Sequence, residues 1–246
     1  KDVISFNRTL MNWQRTIDEN IIDLNTSLQR INYSQDPVTQ AKTHIRIRKQ
    51  QNADDMVRNL KALLRAAMPN PTAESNLTIQ QKLDVQNKFF KQVEALLSFL
   101  RQDDVRQKAL DVRRWFIFAA EEYDVSTGDQ LRYYQDSAGI SGGQKAKLAY
   151  TIFAAAIAKQ FDVFSDDGAS RSFRFVLIDE AFSKIDDENS RYAMQLFSQL
   201  NLQLMVITPL DKGNLVLPFI KTVHVTECPD GKRSQIVSVK VEDFDG

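Results

Sequence analysis

The sequence predicts an α/β lobe behind a mainly helical front half, and three observations predict it. All eight glycines lie at or after Gly128, so residues 1–127 contain none. That suits helices, in whose interior glycine costs about 1 kcal/mol against alanine. Apolar residues in the first 33 positions recur at helical spacing. Further on, short apolar runs at 173–178 and 203–207 alternate with helix-forming stretches, the pattern of strands covered by helices.

The first element is the most periodic. Phe6, Leu10, Trp13, Ile17, Ile21, Leu24, Leu28 and Ile31 form a heptad seam with one four-residue stutter. Such a seam belongs to a coiled-coil strand or to an amphipathic helix on a globular core; its narrowness and the polar opposite face favour the coiled coil. Asp36-Pro37 is expected to end it. Residues 44–48 alternate and read as a short half-buried strand.

Residues 54–68 read as a helix broken at Pro69-Asn70-Pro71. A longer helix is expected over 74–100, with Leu77, Leu83, Phe89, Phe90, Val93, Leu96 and Leu97 on its apolar side, and a short one over 103–110. Strands at 115–118 and 130–135 flank Ser126-Thr127-Gly128-Asp129 as a hairpin. Residues 141–160 are alanine-rich and helical. Residues 173–178 and 203–207 read as strands buried on both faces, with a helix over 186–200 between them, and 222–227 and 235–241 as a closing pair. Both tryptophans read as packing residues, Trp13 in the seam and Trp115 in a strand. The expected division is a coiled-coil segment over 1–35, a mainly helical neck over 36–110 and an α/β lobe over 111–246.

Composition sets bounds. Lys plus Arg equals Asp plus Glu, 32 each, so net charge argues neither for nor against nucleic acid. A hydrophobic content of 43% supports a real core. The single cysteine, Cys228, excludes an internal disulfide and fits a cytoplasmic setting. No apolar run is long enough for a membrane span. The chain begins at Lys1 without a methionine and reads as part of something longer.

Two clusters carry chemistry. Gly139-Ile140-Ser141-Gly142-Gly143-Gln144-Lys145 opens a helix. Its free N–H groups, close-approach glycines and Ser141 hydroxyl suit a phosphate, though a glycine pair at a helix start is also an ordinary cap. The strand 175–178 ends in Asp179-Glu180, placing two carboxylates at the carboxyl edge of a sheet. Asp179 there suits Mg²⁺ and Glu180 suits polarisation of an attacking water, or the pair is an acidic helix start.

Together they resemble the ABC ATPases: the signature at 140–144, Walker B at 175–180 roughly 35 residues later, and a D-loop at Ser183-Lys184-Ile185-Asp186. No G-x-x-x-x-G-K-[ST] phosphate loop occurs. A transporter nucleotide-binding domain would carry both motifs in one stretch of this length. A coiled coil ahead of a signature and Walker B lobe resembles instead the SMC, MukB and SbcC layout, whose head is assembled from both ends of one chain.

Wording narrows this further. Tyr134-Gln135-Asp136-Ser137-Ala138 through Gly139 and the signature to Tyr150, Arg174 through Phe182, Leu202-Gln203-Leu204-Met205-Val206-Ile207-Thr208-Pro209-Leu210, and Pro229-Asp230-Gly231-Lys232-Arg233-Ser234 resemble the SMC-like ATPases of the Wadjet JetC, MksB and MukB kind. The resemblance spans roughly 43–241.

It implies the C-terminal lobe of an ABC/SMC-type head with a helical neck and an antiparallel coiled-coil segment. It also implies ATP and Mg²⁺ as ligands. Ser141, Gly142, Gly143 and Gln144 would meet ATP in trans, Asp179 would hold Mg²⁺, and Glu180 would be catalytic. The partners implied are the chain's own N-terminal Walker A lobe, a second head, kleisin and KITE subunits, a toprim-type nuclease and double-stranded DNA.

The departures are local. Many ABC proteins carry a switch histidine where this chain has Thr208-Pro209, so Thr208 is either the switch position or a turn residue. Asp186 is either the D-loop acid or a helix N-cap, with Ser183 opening that loop. Arg46, Arg48, Lys49 and Arg58 offer DNA contacts, or more simply a solvated strand face. His44 and His224 lack a constellation. The rival readings are an SbcC-type ATPase controlling a DNA nuclease and an assembly head with little turnover.

Overall fold

A computed structural model describes residues 2–68, 78–135, 141–164, 173–182, 185–229 and 231–241, except for the Asp2 side chain. Pro69-Asn70-Pro71, Glu74, Leu77, Gly139, Ile140, Ser183, Lys184 and Asp230 lie outside the described residues. In chain order the elements are α1 (Asp2–Leu28), β1 (Ser34–Gln35), β2 (Lys42–Gln51), α2 (Asp55–Ala66), α3 (Ile79–Leu100) and α4 (Asp103–Ala109). Then come β3 (Phe116–Asp124), β4 (Gln130–Tyr134), α5 (Gly142–Gln160), β5 (Phe175–Ile178), α6 (Asp187–Gln199), β6 (Gln203–Val206), α7 (Gly213–Val216), β7 (Thr222–Glu227) and β8 (Gln235–Lys240).

Two compact units interleave in sequence. The first takes Lys1–Asn25, Arg46–Glu121 and Arg132–Gln135, the second Thr26–Ile45, Glu122–Leu131 and Asp136–Gly246. The sheets are a four-stranded one in the order β1-β2-β3-β4 and two-stranded pairs β5-β6 and β7-β8.

The first unit is built on an apolar cluster. Asp54 caps α2 by accepting from the Met56 amide, and Val57, Leu60 and Leu64 of α2 turn inward at helical spacing. They meet Leu10 of α1, Leu96 of α3, Val105 and Ala109 of α4, and Trp115. Phe6 and Ile17 pack against the same cluster, so α1 has an apolar face covered within this chain. Trp13 departs from the expected packing role, being 54% exposed. It shares the heptad stripe of Phe6, Leu10 and Ile17, yet the apolar cluster does not cover it.

Trp115 lies in a 3₁₀ turn just before β3 rather than in the strand. It is fully buried, and its indole N–H donates to the Ala109 carbonyl at 2.7 Å, so its one polar atom is satisfied. Helix α3 opens with a capping box between Thr78 and Gln81. It buries only its C-terminal turns, through Val93, Leu96, Phe99 and Leu100. Leu83, Phe90 and Leu97, expected on its apolar side, lie a heptad apart on a different stripe and are exposed.

In the second unit α1 stops at Leu28, earlier than expected. Asp36-Pro37 instead forms the β1–β2 turn, where the Asp36 carboxylate accepts from the Val38 and Thr39 amides. The β3–β4 turn uses the same device: Asp124 accepts from the Ser126 and Thr127 amides, and Gly128 takes φ +76°. Helices α5 and α6 pack through small residues (Ala154, Ala155, Ala158 and Ala193) backed by Met194, Leu196 and Phe197. Tyr150 joins Phe182 and Phe197 with ring centroids 5.8 and 6.1 Å away.

Strands β5 and β6 run parallel, connected through α6, with Val176 opposite Leu204 and Leu177 opposite Met205. Their expected burial on both faces is not what the structure shows. Val176, Ile178, Leu204 and Val206 are half-buried, whereas Phe175, Leu177, Met205 and the following Ile207 are exposed. The apolar run is continuous because both faces are apolar, but among the described residues only one is covered. Strands β7 and β8 form the expected antiparallel pair.

Candidate functional site

Ser141 is the N-cap of α5 and its hydroxyl accepts from the Gln144 amide at 3.2 Å. Gly142 and Gly143 fill the first turn, where backbone N–H groups have no partner inside the helix. Ser141, Gly142 and Gln144 are exposed. The arrangement presents amides, a hydroxyl and the positive end of a 19-residue helix to solvent.

Gly143 is fixed by its surroundings. A Cβ there would stand 2.7 Å from Asn189 Nδ2 and 2.8 Å from Asp186 Oδ2. Asp186 is the N-cap of α6. Its carboxylate accepts from the Asn189 amide at 2.9 Å and from the Asn189 side chain at 2.9 and 2.8 Å. These hydrogen bonds, the Asn189 backbone amide first, hold the Asp186 carboxyl below the usual carboxylate value. Asp186 is thus an N-cap, one of its two expected readings, and its carboxylate lies against Gly143.

The two acids after β5 are exposed, as the strand pattern implies. Asp179 accepts the Glu180 amide at 2.8 Å. Glu180 sits at φ +50° and Phe182 at φ +65°, both in the left-handed region that costs side-chain-bearing residues on the order of 1–2 kcal/mol. Two anchors hold this conformation. Phe182 is buried beside Tyr150, and Ala181 is tied to the end of β6, donating its amide to the Ile207 carbonyl at 3.0 Å. Strained backbone at a candidate catalytic acid is the kind of outlier that clusters at functional sites.

Thr208 lies beside this turn. Its hydroxyl donates to the Ala181 carbonyl at 2.8 Å, so at this position it is a turn-binding residue that holds the segment after Walker B. Ser183 lies outside the described residues, and the structure describes the expected D-loop segment from Ile185 onward.

Mg²⁺ fits the donor set. Among the described residues no group of three or more His, Cys, Asp or Glu could hold a metal ion. Mg²⁺ usually takes one or two carboxylates, with waters and substrate phosphates completing the octahedron. Asp179, exposed at the strand end, is suited to be such a ligand.

The basic candidates are engaged within the chain. Arg46 and Arg48 both pair with the buried Glu121, at 2.9 and 2.8 Å. Lys49 pairs with Asp18 and lies over the Phe116 ring, and Arg58 pairs with Asp55. His44 meets Asn32 and the edge of Tyr123, and His224 meets Ser238. What the sequence reading missed is Lys212, four residues past Thr208, whose ammonium reaches the Ile185 carbonyl and Asp187. A lone lysine in a short 3₁₀ turn carries no sequence signal.

A parallel strand ending in two acids, in the same unit as a glycine-opened helix, is the arrangement expected of a Walker B ATPase. In agreement, a family model described as SbcC/RAD50-like, Walker B motif, matches residues 107–199, which is less than half of the chain. No curated protein matches the chain. The match supports an ATPase of the SMC/RAD50 type, with the nucleotide and Mg²⁺ use general to Walker B ATPases. Among the described residues no helix is long and apolar enough to cross a membrane.

Proposed function

We propose that this chain is the signature-and-Walker-B lobe of an SMC-like ATPase head that hydrolyses ATP between two engaged heads. The observation that carries the reading is the exposed Asp179-Glu180 pair at the carboxyl end of β5, with Glu180 held in a left-handed conformation. Glu180 orients and polarises the attacking water, taking its proton as the bond forms. Asp179 is the chain's ligand for Mg²⁺, which when bound neutralises charge on the phosphate oxygens. Ser141 and the Gly142 and Gly143 amides meet the γ-phosphate held by the opposite head and stabilise the charge that develops there.

The exposed apolar face of β5 and β6 supports a further lobe covering it. We assign that place to the chain's own N-terminal Walker A lobe, which completes the head. The wording of the signature and of the segments 174–182 and 202–210 supports a Wadjet-type complex with kleisin, KITE and toprim-type nuclease subunits that acts on double-stranded DNA. Hydrolysis then releases the head sandwich and moves the attached helices.

One observation favours a second reading. The matching family model is described as SbcC/RAD50-like, which suits an ATPase that controls a DNA-end nuclease. Affinity purification of the full-length protein separates them: kleisin and KITE subunits in the eluate support the first, a metallophosphatase-type nuclease the second. The site itself is tested by Ser141→Arg in the complete head. It should abolish ATP-dependent head dimerisation while ATP still binds; dimerisation at wild-type ATP concentrations would remove the signature from the site.

A further inference from the structure

We propose that Lys212 is a positioning residue of this ATPase site, holding the Ile185–Asp187 turn in register with Glu180; the inference rests on the function proposed above. Lys212 closes the short 3₁₀ turn Leu210–Lys212 that follows Thr208-Pro209, and its amide donates to the Pro209 carbonyl at 3.0 Å. Its ammonium donates to the Ile185 carbonyl at 3.1 Å and pairs with Asp187 Oδ1 at 3.0 Å, and its side chain is only 19% exposed.

The geometry is a two-point clamp. Thr208 binds the Ala181 carbonyl, and Lys212, four residues later, binds the Ile185 carbonyl, four residues after Ala181. One segment therefore holds the other on both sides of the Phe182 turn, with Glu180 immediately ahead of it. Ile185 directly precedes Asp186, the cap whose carboxylate and Asn189 partner abut Gly143. A continuous run of contacts thus leads from the strand after Walker B through Lys212 and Asp186 to the signature glycine.

The ion pair itself is a poor source of stability. The Asp187 side chain is 64% exposed, and an exposed pair contributes little. Lys212 is placed rather to satisfy a carbonyl that the helix leaves outside its own ladder and to fix where Asp186 stands. A lysine supplies three donors, and two of them are used here. Phosphate binding is not its task, because its reach is directed at the α6 start.

The test is steady-state turnover of the full-length ATPase carrying Lys212→Met, Lys212→Arg or Glu180→Gln, with thermal melting of each. A positioning role predicts that Lys212→Met lowers kcat about tenfold or more, the scale of catalytic-group misplacement, with KM for ATP within about twofold and little loss of Tm. Lys212→Arg, which keeps charge and reach, should restore most of kcat. Wild-type kcat in Lys212→Met overturns the inference, as does a fall in kcat matched by an equal fall in folded protein. A rise in KM at unchanged kcat overturns it too, by making Lys212 a ligand-binding group. If Glu180→Gln itself leaves turnover unchanged, the proposed function fails. If Glu180→Gln stalls turnover and Lys212→Met does not lower it, only the Lys212 inference fails.

Discussion

Gly143 and Asn189 lie so close that a Cβ on the glycine would stand 2.7 Å from the asparagine side-chain nitrogen. Asn189 cannot easily withdraw, because both its backbone amide and its side chain donate to Asp186. Gly143 is therefore favoured by packing against α6, independently of any phosphate.

Gly143→Ala should destabilise the chain by about 1–3 kcal/mol through overpacking. The double variant with Asn189→Ala should recover part of that loss, since the two sites share one contact. Denaturant melts of the four members of the cycle check it; strict additivity would mean that Gly143 does not touch Asn189 in solution.

Glu180 separates stability from activity. Its φ of +50° suits glycine better than glutamate. Glu180→Gly should keep or raise Tm, with up to about 1 kcal/mol gained, while abolishing turnover; Glu180→Val should lower Tm because β-branching resists that region. Paired melting and turnover assays read both effects.

One helix cap and two turns set an acid limit. Hydrogen bonds from Asn189, Thr39 and Ser126, respectively, are the leading causes that hold the Asp186, Asp36 and Asp124 carboxyls below the usual carboxylate value. A depressed folded-state value means the stabilisation is fully present above the unfolded value and is lost as pH falls through the folded one. Denaturant melts between pH 7 and pH 2 should show the share of stability contributed by these three carboxylates falling below about pH 4. Asp186→Asn should remove its share of that slope, and an unchanged slope would mean the carboxylate is not held as described.

How much of this was legible in the sequence follows from what patterns encode. The helices opening near Asp54, Ser141 and Asp186, and the Asp186 cap itself, were readable because helical periodicity and local hydrogen bonding determine them. The Asp179-Glu180 strand end was readable because an apolar run stops at two acids. Exposure of Phe175 and Leu177 was not, since periodicity shows that a face is apolar and not which chain covers it. The Lys212 bridge to Ile185 was equally hidden, because it joins residues 27 apart in sequence through a backbone carbonyl, which every residue type carries.

The open sheet face gives its own test. Leu177→Lys should leave the chain's Tm nearly unchanged, as exposed substitutions usually do within about 0.5 kcal/mol, yet weaken association with the Walker A lobe. Pull-down of the separately expressed lobe checks it. Equal association would place that lobe elsewhere.

The most direct measurement is ATP turnover by the complete head, this chain joined to its Walker A lobe, in wild-type form and as Glu180→Gln. The account predicts hydrolysis by the wild type and, in the variant, turnover reduced at least about a hundredfold with accumulation of an ATP-bound dimer. Turnover unchanged by the substitution would contradict it and remove Glu180 from the chemistry.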